Sequence, residues 1–247
     1  MKTMLRLGMA ALALTAAACD KKVGDNAPAA SAKSVPGIPA PNGGDWTEQV
    51  TATPQGGFLM GNPDAPVKLV EYASLTCPHC RDFTEHAADP LREKYVKTGR
   101  VSWEFRNFVL NPLDVAATLV ARCQGPQPYF KLAEQLYADQ ENWVKTFNDA
   151  GEAELKRISA LPEDQQFVAL IKASGLDRFF RARGVPEARI ESCLKDKAAL
   201  QKIVALRDLG SNQDKVTGTP SFVINGELQE NVFDWPTLEG KLNGALG

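Results

Sequence analysis

This sequence lacks an excess of charge of either sign. Its 28 lysines and arginines nearly balance its 30 aspartates and glutamates, and the formal net charge is −2. The two signs are interspersed, so there is no basic stretch that would attract nucleic acid, and we exclude nucleic acid as a partner. The sequence also has no internal repeat and no glycine-rich phosphate loop, which argues against a repeat architecture and against nucleotide binding of that kind.

Metal ligands are scarce as well. The chain has only two histidines, His79 and His86, and one Cys-x-x-Cys pair, Cys77 and Cys80. A closed zinc site needs four ligands, and no second Cys-x-x-Cys or His-x-x-x-His segment supplies the rest. His86 follows on the same predicted helix and is expected on the surface. We therefore predict neither a metal site nor a bound cofactor.

Long hydrophobic runs are missing except at the N-terminus. The stretch from Leu7 to Ala18 is apolar and follows Lys2 and Arg6. It is only about half as long as a helix that spans a bilayer. Residues 1–19 therefore predict a signal peptide and export to the periplasm.

The end of this segment resembles a bacterial lipoprotein signal. Small residues precede Cys19, which in such signals is lipidated and becomes the new N-terminus. Ala16 stands where these signals usually carry leucine, and ordinary cleavage after Ala18 is the alternative. Asp20 resembles the signal that keeps some lipoproteins in the inner membrane. The resemblance implies attachment through lipid on Cys19, and residues 20–45, rich in proline, alanine and glycine, are predicted to form a disordered tether.

The four residues Cys77-Pro78-His79-Cys80 lie between an apolar run and a helix-like stretch. Two cysteines at this spacing can form a disulfide, and at a helix start the first thiol meets unpaired backbone N–H groups that stabilise a thiolate. Pro78 suits the first helical position, and an imidazolium on His79 favours the thiolate further. The pattern predicts a redox dithiol with Cys77 as nucleophile and Cys80 as resolving thiol.

The order of predicted elements indicates an α/β protein. A short hairpin over 47–61 precedes a buried strand at 67–73, a helix at 78–98 and a second strand at 101–108. The dithiol thus lies at the first junction of a βαβ unit. Apolar residues at helical spacing then indicate an all-helical block over 112–210.

After the helical block the strand pattern returns. Residues 221–224 and 227–232 read as two strands joined by Asn225-Gly226, a strong hairpin signal. A last helix is predicted to begin after Asp234 as its N-cap. Gly218-Thr219-Pro220 comes directly before the first of these strands; taken alone, it is also compatible with an ordinary turn.

With these motifs in place, the sequence resembles the DsbA-like branch of the thioredoxin superfamily over most of residues 47–246. The Pro-His dipeptide between the cysteines is that of its strongly oxidising members. The resemblance implies a thioredoxin fold with an inserted α-helical domain. Residues 46–111 and 211–247 would form the thioredoxin-like domain, and residues 112–210 the insertion.

The resemblance also implies roles for single residues. Pro220 would follow a cis peptide bond and pack against the dithiol, and Thr219 with Pro220 would contact extended substrate segments. Glu71 stands where family members carry an acid beneath the active site that assists proton transfer at the buried thiol. A glutamate in a buried strand should have a raised pKa, and the alternative is an edge glutamate that reaches solvent.

Two further cysteines lie in the helical block. With Cys19 assigned to lipid and Cys77 to Cys80, Cys123 and Cys193 remain. In an oxidising compartment thiols tend to pair, so we predict a structural disulfide between them. Two buried free thiols that act as small hydrophobes are the alternative.

Three functions compete on this evidence. The first is a dithiol oxidase that introduces disulfides into unfolded or partly folded exported proteins and is reset by a membrane redox partner. The second is a disulfide isomerase or reductase, because isomerases of related fold also carry threonine before the cis-proline. The third is a metal-binding lipoprotein without redox activity, for which only Met60 remains as an additional soft ligand outside the signal peptide.

Overall fold

The computed structural model describes residues 35–247, so the predicted signal peptide, Cys19 and residues 20–34 of the predicted tether lie outside the described residues. The described chain contains one mixed sheet with the strand order β1-β2-β4-β3-β5-β6. Its strands are β1 (Val50–Ala52), β2 (Phe58–Met60), β3 (Val67–Ala73), β4 (Val101–Asn107), β5 (Ser221–Ile224) and β6 (Glu227–Leu228). Its helices are α1 (Pro78–Leu91), α2 (Pro112–Arg122), α3 (Tyr129–Ala138), α4 (Gln140–Asp149), α5 (Gly151–Ser159), α6 (Glu163–Ala173), α7 (Leu176–Arg181), α8 (Glu187–Leu194), α9 (Lys197–Asn212) and α10 (Trp235–Leu246).

The strand β3 lies inside the sheet, parallel to β4 and antiparallel to β5. Leu69 and Ala73 belong to the main core, whereas Tyr72 belongs to a smaller apolar cluster. Because alternate side chains of a strand point to opposite faces, both faces of β3 are covered. This burial explains the near-continuous apolar run that predicted a central strand.

The predicted strand over 101–108 is present as β4, which ends at Asn107. The sequence alternates apolar and polar residues over this strand, but all seven residues of β4 are buried. The polar residues satisfy one another and their neighbours: Arg106 Nη2 lies 2.8 Å from Glu104 Oε2, and Arg106 Nη1 lies 3.2 Å from Asp214 Oδ2. Buried charges of this kind are tolerated because they are paired, so polarity alone was a poor guide to exposure here.

The helix α1 begins at the dithiol, and helical structure extends beyond its last regular residue, Leu91. It continues as one π-helical turn over Arg92–Val96 before the chain turns at Gly99, which has φ 72°. Pro90 lies within α1 and cannot donate a backbone hydrogen bond. The predicted helix over 78–98 is therefore correct in extent, with a widened last turn of the kind that interrupts α-helices.

Eight helices, α2 to α9, occupy the stretch between β4 and β5. The sequence predicted an all-helical block here, and the structure divides it into several short helices that follow one another closely. α2 packs against α6, α8 and α9, and α9 packs against β4. The helical block thus extends over 112–212. The division of the chain into a thioredoxin-like domain and an inserted domain stays a prediction.

The C-terminal strands and helix are those predicted, except that the strand β6 is shorter than expected. Asn225 (φ 51°) and Gly226 (φ 87°) form the turn between β5 and β6, as a tight hairpin requires. β6 ends at Leu228, however, not at residue 232. The Asp234 side chain accepts a hydrogen bond of 2.9 Å from the Thr237 N–H and caps α10.

The segment 35–45 corrects the predicted tether. The Val35 N–H donates to the Leu246 carbonyl at 3.2 Å, and the Ile38 N–H donates to the Thr98 carbonyl at 2.8 Å. These bonds fix the segment to the folded domain although its composition is that of a flexible linker. The prediction of disorder is therefore wrong for residues 35–45.

No helix among residues 35–247 is both long enough and apolar enough to cross a membrane.

The two cysteines of the helical block form a disulfide in the structure. Cys123 and Cys193 are bonded, with their Cα atoms 5.8 Å apart and 70 residues apart in sequence. The bond joins the end of α2 to α8. The prediction of a structural disulfide agrees with this arrangement, and the alternative of two free thiols does not.

We expect this disulfide to persist in the isolated protein. After oxidation of the dithiol, the chain without residues 1–19 should show no free thiol when denatured without reductant. Replacing Cys123 and Cys193 together by alanine should lower the free energy of unfolding by about 4 kcal/mol, because a closed loop of this length restricts the unfolded chain. A count of two thiols in the denatured, oxidised protein would contradict the assignment.

Candidate active site

Cys77 lies where β3 passes into α1. The strand ends at Ala73, residues 74–76 form a turn, and Cys77 is the last extended residue before the helix, with φ −81° and ψ 121°. Pro78 is the first helical residue, where its missing N–H costs nothing. Cys77 and Cys80 are both free and buried in the structure. The fold thus places the dithiol at the helix start, as the sequence predicted.

The Cys77 thiol is strongly acidic, with its pKa lowered to about 5. The largest cause is the hydrogen bond from the Cys80 thiol, and the backbone N–H groups of Cys80 and His79 add to it while burial opposes it. In the thiol form, Cys77 Sγ donates to the Thr219 carbonyl at 3.3 Å. A thiolate at a helix start is stabilised in this way because the first N–H groups have no partner within the helix.

Cys80, in contrast, has a raised pKa. It lies one turn into α1 and is fully buried. Burial raises the pKa of the Cys80 thiol well above its usual value, and the hydrogen bond to Cys77 and the negative charge there raise it further. At neutral pH the pair therefore holds one thiolate, at Cys77, and one protonated thiol, at Cys80.

Pro78 and His79 are exposed on the first turn of α1. What His79 contributes to the low pKa of Cys77 is its backbone N–H. The predicted contribution of the imidazole remains a prediction.

The loop before β5 lies against the dithiol. The Thr219–Pro220 peptide bond is cis, and Pro220 is buried. The Thr219 carbonyl contacts Cys77 Sγ, and the Thr219 hydroxyl is buried with no hydrogen-bond partner in the structure. A buried unpaired hydroxyl is uncommon, and here it is available to a thiolate on Cys77. The interpretation of Gly218-Thr219-Pro220 as an ordinary turn is thus wrong.

Glu71 is buried in β3, with 1% of its surface exposed. One carboxyl oxygen accepts a hydrogen bond of 2.9 Å from Trp103 Nε1, and the other has no partner. Burial raises the pKa of Glu71 to about 8, against the effect of the Trp103 hydrogen bond, and the charge of Glu134 adds to the increase. The alternative of a solvated edge glutamate is wrong, and Glu71 holds a proton at neutral pH.

Three buried side chains from the helical block hold the turn that leads to Cys77. Tyr137 Oη donates to the Ser74 carbonyl at 3.0 Å, and Gln140 Nε2 donates to the Leu75 carbonyl at 2.8 Å. The Asp114 carboxylate accepts from Ser74 Oγ at 2.5 Å and from the Leu75 N–H at 3.1 Å. Sequence reasoning missed this role for all three, because their spacing is that of ordinary helical residues.

Metal ligands are not clustered in the described part of the chain. Among residues 35–247, no group of three or more His, Cys, Asp or Glu side chains is arranged to hold an ion. His86 is exposed, and its Nδ1 lies 2.7 Å from the Asp82 carbonyl. Met60 is buried on β2 opposite Trp103 of β4, so a strand separates it from β3 and the dithiol.

Comparison with known proteins adds to this geometry. A family model described as thioredoxin matches residues 53–243. A crystal structure described as a protein-disulfide isomerase from Novosphingobium aromaticivorans is 33% identical, with a TM-score of 0.71, and the match covers 75% of this chain and 96% of that one.

Two other matches are more distant. The structure of alpha-DsbA1 from Wolbachia pipientis is 23% identical with a TM-score of 0.59, over 85% of this chain and 92% of that one, and shows a shared fold. A putative protein-disulfide oxidoreductase from Rickettsia bellii is 28% identical over 70% of this chain, which spans 59% of that relative's length. The family match, the dithiol at the start of α1 and the cis-proline loop beside it lead to one conclusion: the chain belongs to the thioredoxin family and shares the fold of its DsbA-type members.

Proposed function

We propose that this protein is a thiol:disulfide oxidoreductase that acts as a dithiol oxidase on exported proteins. The observation that carries the proposal is the unequal acidity of the two thiols. The pKa of Cys77 is lowered to about 5, whereas that of Cys80 is raised. A stabilised Cys77 thiolate favours the reduced protein, so its disulfide is a strong oxidant.

The first half of the reaction opens the protein disulfide. A substrate thiolate attacks Cys77 Sγ, a substrate–Cys77 disulfide forms, and the Cys77–Cys80 bond breaks. Cys80 leaves, but its raised pKa makes the free thiolate a poor leaving group. A nearby proton would ease this step. Glu71, which is protonated at neutral pH, is the residue that we propose as its source.

The second half releases the product. The second thiolate of the substrate attacks the substrate sulfur in the mixed disulfide, the substrate disulfide forms, and Cys77 leaves as a thiolate. Two electrons have passed from the substrate to the protein. The low pKa of Cys77 makes it a good leaving group, which drives this step forward. A membrane redox partner would then reoxidise the dithiol.

The substrates that fit this site are extended segments of unfolded or partly folded proteins. The loop that contains Thr219 and Pro220 lies next to the dithiol, and Thr219 is partly exposed to solvent. We propose that a substrate segment lies along these two residues while its cysteine reacts with Cys77. Periplasmic location and attachment to the inner membrane through lipid on Cys19 complete the proposal.

An isomerase or reductase is the second candidate. The favouring observations are Thr219 before the cis-proline and the 33% identity to a structure described as a protein-disulfide isomerase. Both candidates use the same dithiol, and they differ in the reduction potential at which it works. The metal-binding alternative has less support, because Met60 lies in the core of the sheet away from the dithiol.

The reduction potential distinguishes these candidates. Equilibration of the chain without residues 1–19 against glutathione should give a value nearer to about −120 mV, typical of strong oxidants, than to about −270 mV, typical of thioredoxin. A thioredoxin-like value would reverse the proposed direction and favour the reductase.

The acidity of Cys77 can be measured directly. Ultraviolet absorbance of the reduced protein should show one thiolate with a pKa of about 5, lost in Cys77→Ser and retained in Cys80→Ser with a shifted pKa. Because the folded pKa is depressed, the reduced protein gains stability as the pH rises above about 5, until the unfolded thiol also ionises. At pH 7 this gain should be about 2 to 3 kcal/mol relative to Cys77→Ser.

The role of Glu71 can be tested with Glu71→Gln, which keeps the size and the acceptor for Trp103 Nε1. Opening of the Cys77–Cys80 disulfide should slow, and its pH dependence near pH 8 should disappear. Because the folded pKa of Glu71 is raised, the variant should also become more stable than wild type as the pH rises above about 4.5. Unchanged kinetics combined with the stability gain would reduce Glu71 to a buried acid without a catalytic role.

A further inference from the structure

Asp114 is a buried carboxyl group that the reaction above does not use. It lies in the first turn of α2 and has no exposed surface. Its carboxylate accepts three hydrogen bonds, from Ser74 Oγ at 2.5 Å, from the Leu75 N–H at 3.1 Å and from the Leu110 N–H at 3.0 Å. A buried carboxylate is costly unless its oxygens are paired. These bonds join the turn after β3 to the segment after β4.

A second set of bonds links Asp114 to the residue before the nucleophile. Ser74 Oγ lies 3.1 Å from Thr76 Oγ1 and accepts from the Thr76 N–H at 3.2 Å. Asn111 Nδ2 donates to Thr76 Oγ1 at 2.9 Å, and Asn111 Oδ1 accepts from the Asp114 N–H at 2.9 Å. Two routes therefore tie the residue next to Cys77 to Asp114. A shift of the Asp114 side chain would displace the turn that positions the nucleophile.

The negative charge of Asp114 also acts on the sulfur of Cys77. The titratable groups that face it are Cys77 at the start of α1 and Tyr129 and Tyr137 on α3. Burial raises the pKa of both tyrosines, so they remain neutral. Burial also raises the pKa of Asp114 to about 6, against its hydrogen bonds, and the Cys77 thiolate adds to the increase. Repulsion between two anions is mutual, so the Asp114 carboxylate must disfavour the Cys77 thiolate.

We propose that Asp114 is a positioning residue for the dithiol: it holds the Ser74–Thr76 turn that leads to Cys77, and its negative charge opposes the Cys77 thiolate. The inference rests on the proposed function only in taking Cys77 as the nucleophile. The helix start stabilises the thiolate, and Asp114 limits that stabilisation. Through Asp114, the helical block thereby contributes to how strongly oxidising the disulfide is.

The proposal has a consequence for proton uptake. Reduction of the disulfide by two glutathione thiols gives glutathione disulfide, a Cys77 thiolate and a Cys80 thiol. The new negative charge on Cys77 draws a proton onto Asp114 when the pH is near 6, the range in which Asp114 titrates. The equilibrium with glutathione should therefore carry an additional pH dependence in this range, which a purely structural Asp114 would not produce.

Asp114→Asn tests the charge while nearly preserving the shape. In the full chain, the pKa of Cys77 should fall by about 0.5 to 1 unit, measured by thiolate absorbance, because an opposing anion is gone. The equilibrium constant for reduction by glutathione at pH 7 should rise by about three- to tenfold. The additional pH dependence near pH 6 should vanish.

Two further variants make the test specific. Asp149→Asn removes one charge from an exposed residue of α4 that pairs with Lys145, and it should leave the glutathione equilibrium unchanged. Ser74→Ala keeps the Asp114 charge but removes a hydrogen bond that lowers the pKa of Asp114. The additional pH dependence should then move to higher pH, and this result remains available if Asp114→Asn fails to fold.

The outcomes separate this inference from the proposed function. A wild-type protein without a thiolate at neutral pH would contradict the proposed function. A wild-type thiolate whose pKa is unchanged or raised in Asp114→Asn, with an unchanged glutathione equilibrium, would overturn the role of Asp114 alone. The expected decrease in pKa with loss of the pH dependence near pH 6 would support it.

Discussion

The stabilisation of one thiolate at the start of α1 is the interaction on which the rest of the site depends. Cys77 is extended while Pro78 begins the helix, so the sulfur meets the N–H groups of His79 and Cys80 before any helical carbonyl can pair with them. This arrangement needs a rigid strand to deliver the chain and a rigid helix to receive it. The strand β3 is rigid because it lies inside the sheet and pairs with both β4 and β5.

Two other groups of the candidate site are protonated for one physical reason. Cys80 and Glu71 lie in the core, where burial disfavours their charged forms. The candidate site thus combines one thiolate, at Cys77, with two groups, Cys80 and Glu71, that keep their protons at neutral pH. The acidic Cys77 thiol suits the thiol exchange of a disulfide oxidoreductase, whereas a proton source at Glu71 belongs to the proposed mechanism. The unpaired oxygen of Glu71 marks a group retained at a cost to stability.

The helical block contributes to the site as well as covering the sheet. Tyr137 and Gln140 donate to carbonyls of the turn before the dithiol, while Asp114 accepts from the same turn. A turn held from three helices has little freedom, which suits a nucleophile whose acidity depends on its position at a helix start. The disulfide between Cys123 and Cys193 constrains the same block by joining α2 to α8.

Much of the fold and the dithiol was predictable from sequence because the signals are local. The apolar run of β3, the proline after Cys77, the Asn225-Gly226 turn and the Asp234 cap each act on neighbouring residues, and the structure agrees with all four. The disulfide was predicted differently, from the expected oxidising compartment and the two cysteines that remained once the others were assigned.

The tertiary structure decided what depends on distant residues. The composition of residues 35–45 indicated disorder, but hydrogen bonds to Thr98 and Leu246 order the segment. The charged residues of β4 are buried because Arg106 pairs with Glu104 of the same strand and with Asp214 from a distant segment. Asp114 has an ordinary position in the sequence, and only folding brings it against the turn before Cys77. Sequence periodicity reports which face of an element is apolar, whereas burial of a charge depends on partners that the chain brings together from far apart.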